Sequence, residues 1–202
     1  MITLKNVTKE LEKKIVLNEI NLFLEQGRIY LVEGHNGCGK TMLLRIICGL
    51  MKPTSGEVYY DEPINFGVII ENPSFIESES GLWNLQFLAK IKHSVNTERI
   101  EKAMRMFGLQ EYGKQKVKRY SLGIKQRLAI CQAVMEDQRV ILLDEPFNAL
   151  DEESCYNVVR IINELKEEGK TVVIAAHNIK FRNELEIDQT IQMSNGSILS
   201  YS

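Results

Sequence analysis

The sequence predicts an α/β fold: a mainly parallel sheet with flanking helices, an antiparallel β lobe near its start, and a helical segment between the early and late strands. Three observations predict it. The apolar runs Ile29–Val32 and Val140–Leu143 lack polar alternation, as strands buried on both faces of a parallel sheet do. Stretches of helical periodicity separate such runs, the pattern of a layered α/β core. The octet Gly34-His35-Asn36-Gly37-Cys38-Gly39-Lys40-Thr41 lies between the first of these runs and Met42–Ile47, which has helical character.

In order along the chain, Ile2–Val7 and Ile15–Leu24 read as strands. In the second, Leu17, Ile20, Leu22 and Leu24 largely alternate with polar residues, the mark of an antiparallel, half-exposed sheet. Ile29–Glu33 and Glu57–Tyr60 follow, bounded by turn residues. Phe66–Ile70 is a buried strand stopped by Asn72-Pro73. The period then becomes helical: Leu82, Leu85, Leu88, Ala89 and Ile91 mark one helix, and Ile100, Ala103, Met104 and Phe107 a second, ended by Gly108. Ile124, Leu128, Cys131 and Met135 mark a third. The remainder reads as strand Val140–Leu143, helix Glu152–Glu167 ended by Gly169, strand Thr171–Ala175, and a two-residue Asn195-Gly196 hairpin.

The 202 residues suit one domain, or one domain with a small lobe. A net charge of −2 argues against a dedicated nucleic-acid surface; the basic run Lys114–Arg119 reads as a solvated helix end or loop. No apolar stretch reaches the length of a membrane span, and the start does not read as a secretory signal. Cys38, Cys48, Cys131 and Cys155 have neither metal nor disulfide-framework spacing and read as reduced thiols.

The octet carries the chemistry. Strand, glycine-rich loop, Lys-Thr and helix form a phosphate-binding loop: glycines let backbone N–H groups turn inward, and the helix presents its positive end to the same place. Lys40 is expected to reach the β- and γ-phosphates, and Thr41 to ligate Mg²⁺. Val140–Glu145 is a buried strand ending in two carboxylates. Beside such a loop, Asp144 is expected to serve the Mg²⁺ environment and Glu145 to polarise a water for attack on the γ-phosphate. Ser121, read alone, is a helix N-cap, and so is Asp151, ahead of Glu152 and Glu153. His177, read alone, is a polar residue closing an apolar strand.

Taken in order, Gly34–Thr41, Glu71, Tyr120–Gln126, Val140–Glu145, Asn148–Asp151 and His177 resemble the Walker A, Q-loop, signature, Walker B, D-loop and switch-histidine motifs of ABC ATPases. The resemblance covers essentially the whole chain. It implies a P-loop NTPase (RecA-like) core with an N-terminal antiparallel β subdomain and a helical subdomain, about 1–72 and 137–202 for core and β lobe and about 73–136 for the helices. It implies ATP and Mg²⁺ as cofactors, with nucleotide bound by Gly34, His35, Asn36, Gly37, Cys38, Gly39, Lys40, Thr41 and Met42 and, from a second copy, by Ser121 and Gly123. Metal would fall to Thr41, Glu71 and Asp144, and catalysis to Glu145, His177 and Lys40, with the His177 imidazole donating to the γ-phosphate. The implied function is that of an ATP-hydrolysing subunit powering a separate membrane-spanning transporter subunit. The implied partners are that subunit and a second ATPase, identical or similar, in an ATP-dependent dimer, with no direct nucleic-acid contact. Residues 75–119 would offer the groove for the membrane partner, placing the chain on the cytoplasmic face of the cell membrane. The spelling Tyr-Ser-Leu-Gly-x-Lys-Gln-Arg-Leu with Glu71 is most similar to exporters of antimicrobial peptides and antibiotics. The competing reading is a soluble ABC ATPase in cluster assembly, repair or an adaptor role; a small P-loop kinase would not need Ser121, Glu145 and His177 together.

Three positions depart from the family pattern. Leu122 stands where the signature usually has its first glycine. Glu71 replaces a glutamine and adds negative charge beside triphosphate. Leu11 occupies the place of the aromatic residue expected to stack on adenine, so base discrimination should be weak. Cys38, near a helix N-terminus and Lys40, is expected to be a reactive thiol that maleimide attacks and MgATP protects.

Overall fold

The structure is a computed structural model that describes residues 1–71, 74–92, 96–177 and 179–202. Two sheets build it. The smaller is antiparallel, in the order β2-β1-β4, from β1 (Ile2–Leu11), β2 (Lys14–Leu24) and β4 (Ser55–Tyr60). The larger has six strands in the order β5-β6-β7-β3-β8-β9: Phe66–Ile69, Val140–Asp144, Thr171–Ala176, Ile29–Glu33, Gln189–Ser194 and Ser197–Tyr201. Five of these run parallel, and β9 returns antiparallel to β8.

Alternation along the parallel strands divides the core between the two faces of the sheet. Ile29, Leu31, Ile141, Leu143, Val172 and Ile174 share one apolar cluster with α4 (Leu122–Val134) and α5 (Glu152–Glu167). Tyr30, Val32, Leu142, Val173 and Ala175 share the other with α1 (Lys40–Ile47) and the inner face of β1 and β2. The continuous apolar strands thus have the covering on both faces that their composition demands. α2 (Gly81–Lys92), α3 (Thr97–Met106) and α4 lie between β5 and β6 in sequence. The stop at Asn72-Pro73 and the domain boundary placed there fall outside the described residues.

The first hairpin is longer than its pattern predicts. β1 runs on to Leu11, which pairs with Lys14 across a turn made by Glu12 and Lys13, at φ 49° and 66°. Both residues sit in the left-handed region that such turns require, without the Gly or Asn that usually signals it. The Asn195-Gly196 turn has the expected residues and the same geometry, φ 46° and 80°. Its tip packs beneath the phosphate loop: Gly196 N–H donates to Cys38 O at 2.9 Å, and Asn18 N–H donates to Gly196 O at 2.8 Å. At β5, Gly67 lets α4 approach closely, since a Cβ there would lie 1.8 Å from the Ala133 carbonyl oxygen.

The basic run Lys114–Arg119 is a loop with a short 3₁₀ turn at Val117–Arg119, tied by Val117 N–H and Lys118 N–H to the carbonyls of Glu79 and Glu77. Asp151 caps α5, its Oδ1 accepting from Ser154 N–H at 2.8 Å. That hydrogen bond holds the Asp151 carboxyl below its usual range.

Candidate active site

β3, β6 and β7 are adjacent or near-adjacent parallel strands, and their carboxyl ends deliver Gly34, Asp144 and His177 to one edge of the sheet. Open α/β sheets bind ligands at that edge. α1 begins immediately after Gly39, whose φ of 110° no L side chain adopts easily. A Cβ on Gly39 would also lie 2.9 Å from Leu17 Cδ2 and 3.0 Å from Val16 O. No side chain caps this helix, so its first-turn N–H groups face the cleft.

A cleft of about 350 Å³ opens over this helix end, lined by Asn36, Gly37, Gly39, Lys40, Thr41, Met42, Glu71, Asp144 and Glu145, with Val16 and Arg45 as further wall. Lys40, nearly buried, turns its ammonium back onto the loop: Nζ donates to Gly34 O at 2.7 Å and His35 O at 3.4 Å, with Glu145 Oε1 at 3.9 Å. Thr41 Oγ1 donates to Asp144 Oδ2 at 2.7 Å. The other Asp144 oxygen, Oδ1, is buried without a hydrogen-bond partner. Burial pushes the Asp144 carboxyl up, as does Glu145, while the Thr41 hydrogen bond, Lys40 and the nearby Glu71 backbone N–H act the other way.

Glu145 has φ 48°, an uncommon conformation for a residue with a side chain, held by its N–H donating to Ala175 O at 2.8 Å. Its Oε1 lies 2.9 Å from His177 Nδ1, so the residue that closes β7 joins the one that follows β6. His177 and Glu145 therefore form a pair at the rim of the cleft.

Other expected site residues are placed differently. Gly34 and His35 lend carbonyls to Lys40 rather than lining the cleft. Ser121 caps α4, its Oγ accepting from Ile124 N–H at 3.3 Å, and with Gly123 it stands outside the cleft of its own chain. A Cβ on Gly123 would lie 2.8 Å from Ala149 O, which brings the start of α4 against the loop after Glu145. Leu122, 66% exposed, projects from the same turn. Leu11 lies at the end of β1, exposed and away from the cleft wall, where Val16 stands instead.

The expectation of a reactive Cys38 is corrected by the structure. The side chain is 1% exposed, and its Sγ lies beneath Gly34, 2.6 Å from where a Cβ would be. Reagent has no path to that sulfur in the folded chain. Sequence reasoning also missed Arg45, one helical turn beyond Thr41 and thus on the same face of α1. Arg45 Nη2 pairs with Glu71 Oε1 at 2.6 Å. A larger cavity, about 480 Å³, lies between α3 and the end of α5, but its Asp137 is already taken up by Arg99 and Lys170. Chemistry, not volume, distinguishes the smaller cleft.

Fold and loop together define a P-loop nucleotide-binding protein. The chain belongs to the ABC transporter family, whose sequence profile matches residues 17–148, and it is an ATP-binding, ATP-hydrolysing transporter subunit of that family. It is 38% identical over 187 residues to the uncharacterized ABC transporter ATP-binding protein YybJ of Bacillus subtilis, over 88% of this chain and 86% of that one. It is 37% identical to the bacitracin transport ATP-binding protein BcrA of Enterococcus faecalis, over 88% of this chain and 61% of that longer one. It is 31% identical to the lantibiotic transport ATP-binding protein SrtF of Streptococcus pyogenes, over 88% and 80%. Among solved structures, it is similar to a dimeric ATP-binding cassette in a post-hydrolysis state with ADP and Pi, at 27% identity and a TM-score of 0.91, covering 100% of this chain and 98% of that one.

Proposed function

We propose that ATP is bound and hydrolysed in the cleft at the ends of β3, β6 and β7 by Lys40, Thr41, Asp144, Glu145 and His177. The observation that carries this reading is the chain of contacts from Thr41 through Asp144 and from Lys40 through Glu145 to His177. The backbone of Asn36–Met42 cradles the phosphates at the uncapped end of α1, and Gly34, His35 and Cys38 shape that backbone. Lys40 Nζ exchanges the carbonyls of Gly34 and His35 for phosphate oxygens. Glu145 Oε2 accepts a hydrogen bond from the attacking water and takes its proton, while a His177 ring N–H, held here by Glu145 Oε1, is exchanged onto the γ-phosphate.

A divalent cation fits the oxygens present. Asp144 Oδ1 is orphaned and buried beside the Thr41 hydroxyl, a pair of hard ligands of the kind Mg²⁺ takes. Among the described residues no three His, Cys, Asp or Glu side chains gather into a cage, so phosphate and water would complete its shell. Held by Asp144 and Thr41, such a cation would supply charge neutralisation for the bound phosphates. Glu71 lies on the same wall as a further oxygen ligand.

Ser121 and Gly123, outside their own cleft, serve the cleft of a second copy, making an ATP-dependent dimer in which each chain completes the other's site. The second copy is identical or a similar ATPase. We assign residues 1–72 and 137–202 to the nucleotide core and β lobe, and 73–136 to a helical subdomain facing a membrane-spanning partner. No helix among the described residues is long and apolar enough to cross a membrane; a separate spanning chain would hold the protein at the inner face of the cell membrane. The transported compound is a peptide or antibiotic-like molecule, by likeness to the bacitracin and lantibiotic transport proteins BcrA and SrtF.

The test is Glu145→Gln. We expect hydrolysis to fall roughly 10²- to 10⁴-fold, with an ATP-trapped dimer by size exclusion. The tagged variant should retain a multi-span membrane protein from detergent-solubilised membranes of its native cell. Wild-type turnover would remove Glu145 from the mechanism. Recovery as a dimer with soluble proteins only would favour a non-transport ATPase.

A further inference from the structure

Arg182 ties the segment that follows His177 to the strand that feeds the phosphate loop. Its Nη1 donates to Glu33 Oε1 at 2.6 Å and its Nη2 to Thr190 Oγ1 at 2.8 Å. Gln192 Nε2 donates to the other carboxylate oxygen, Glu33 Oε2, at 2.6 Å. Glu33 is the last residue of β3, and the next residue, Gly34, gives its carbonyl to Lys40. One carboxylate thus joins the end of β3, the strand β8 and the turn at Arg182 at the root of the phosphate loop.

His177 and residues 179–182 are each tied to neighbouring elements. His177 meets Glu145, and Phe181 packs edge-on against Tyr156 of α5, ring centroids 4.8 Å apart. Ile179 is buried between them in sequence. Beyond Arg182, Asn163 of α5 holds the carbonyl of Glu184 and the N–H of Glu186. That far anchor belongs to the helical face of the sheet, whereas Arg182 reaches the phosphate-loop strand. β3 and β8 are already paired through their backbones, with Glu33 opposite Gln192, so the sheet itself does not need the Arg182 contact. A planar guanidinium can span a carboxylate and a hydroxyl at once; a lysine ammonium on a flexible stem fixes no such orientation.

We propose that Glu33 and Arg182 are positioning residues that set where His177 stands relative to the phosphate loop. This rests on the reading that His177 works with Glu145 at the γ-phosphate. The pair touches no phosphate itself; it acts by fixing the loop that carries the imidazole. Misplacement of a catalytic group by about 1 Å costs up to ~10²-fold in rate.

The experiment is a double-mutant cycle in steady-state ATP hydrolysis by the full chain. Arg182→Ala is expected to lower kcat roughly 10-fold or more with KM for ATP nearly unchanged, and to add nothing in a His177→Ala background. Arg182→Lys, the milder change, should show the same loss of kcat while binding a fluorescent ATP analogue as the wild type does, which also reports that the fold is intact. If the two losses multiply while His177→Ala alone is slow, Arg182 acts elsewhere and the inference fails on its own. If His177→Ala turns over at the wild-type rate, the reading of His177 fails and takes the inference with it. A rise in KM at unchanged kcat in both Arg182 variants would make the contact a support of the phosphate loop, and would also overturn it.

Discussion

Arg45 Nη2 and Glu71 Oε1 stand 2.6 Å apart on the wall of the cleft above α1. Glu71 holds φ 62°, so the backbone presents its carboxylate from a left-handed turn. A carboxylate beside a triphosphate repels metal-free nucleotide, and Arg45 offsets part of that charge. Replacing Glu71 with Gln should tighten binding of metal-free ATP roughly threefold to tenfold and flatten the dependence on Mg²⁺, the modest size following from the exposure of the pair. Titration of a fluorescent ATP analogue with and without EDTA measures both. An unchanged Mg²⁺ dependence would mean that Glu71 stays on Arg45 throughout.

Base discrimination should be weak. Val16 is the apolar wall of the cleft, and no aromatic ring lines it among the described residues. GTP is expected to compete within about tenfold of ATP, a difference of up to about 1.4 kcal/mol. A competition assay that shows a hundredfold preference for ATP would contradict this. Leu11→Tyr then tests whether the end of β1 reaches a bound base: a gain in ATP preference says that it does.

Of the four thiols, Cys48 should react first. Cys38, Cys131 and Cys155 are buried, whereas Cys48 is partly exposed. Burial raises the Cys48 thiol above its ordinary range, and its Sγ donates to Arg45 O at 3.5 Å. The reactive form is the thiolate, so labelling by maleimide should be slow at neutral pH and accelerate as pH rises. Mass spectrometry of the labelled native protein locates the adduct. Rapid labelling of Cys38 would show that the phosphate loop opens.

What the sequence revealed and what it hid follow from the kind of signal each feature has. The phosphate loop, the carboxylates after β6 and the Asn195-Gly196 turn are written in residue types with one dominant use. The Glu12-Lys13 turn was invisible because both residues adopt positive φ without the side chains that normally advertise it. Arg45 and Arg182 escaped notice for another reason: their partners, Glu71 and Glu33, are distant in sequence, and nothing local marks a charge that will be paired across the fold. The misplaced expectation for Cys38 came from reading its neighbours along the chain, while its burial is decided by Gly34 and the hairpin tip beneath it.

Gly67 gives a stability test of the junction between β5 and α4. Alanine there would put its Cβ into the Ala133 carbonyl oxygen, a backbone atom that moves only with α4. A loss of about 1–3 kcal/mol is expected from such overpacking. At this chain length each kcal/mol lowers Tm by about 2–4 °C. Thermal unfolding with and without nucleotide measures it. A Tm within a degree of the wild type would mean that α4 shifts freely, and with it the exposed Ser121 turn.

The tip of the β8–β9 hairpin lies under Cys38, so the glycine-rich loop rests on residues that the ribosome makes long after it. Until Gly196 has emerged, the loop lacks the hydrogen bond that steadies it from below, and β8 is not yet there to flank β3. Such distant pairings slow folding. During synthesis, ATP should therefore find a finished pocket only after the β8–β9 hairpin has emerged, and nascent chains on the way there would be exposed without the stabilisation that bound nucleotide confers.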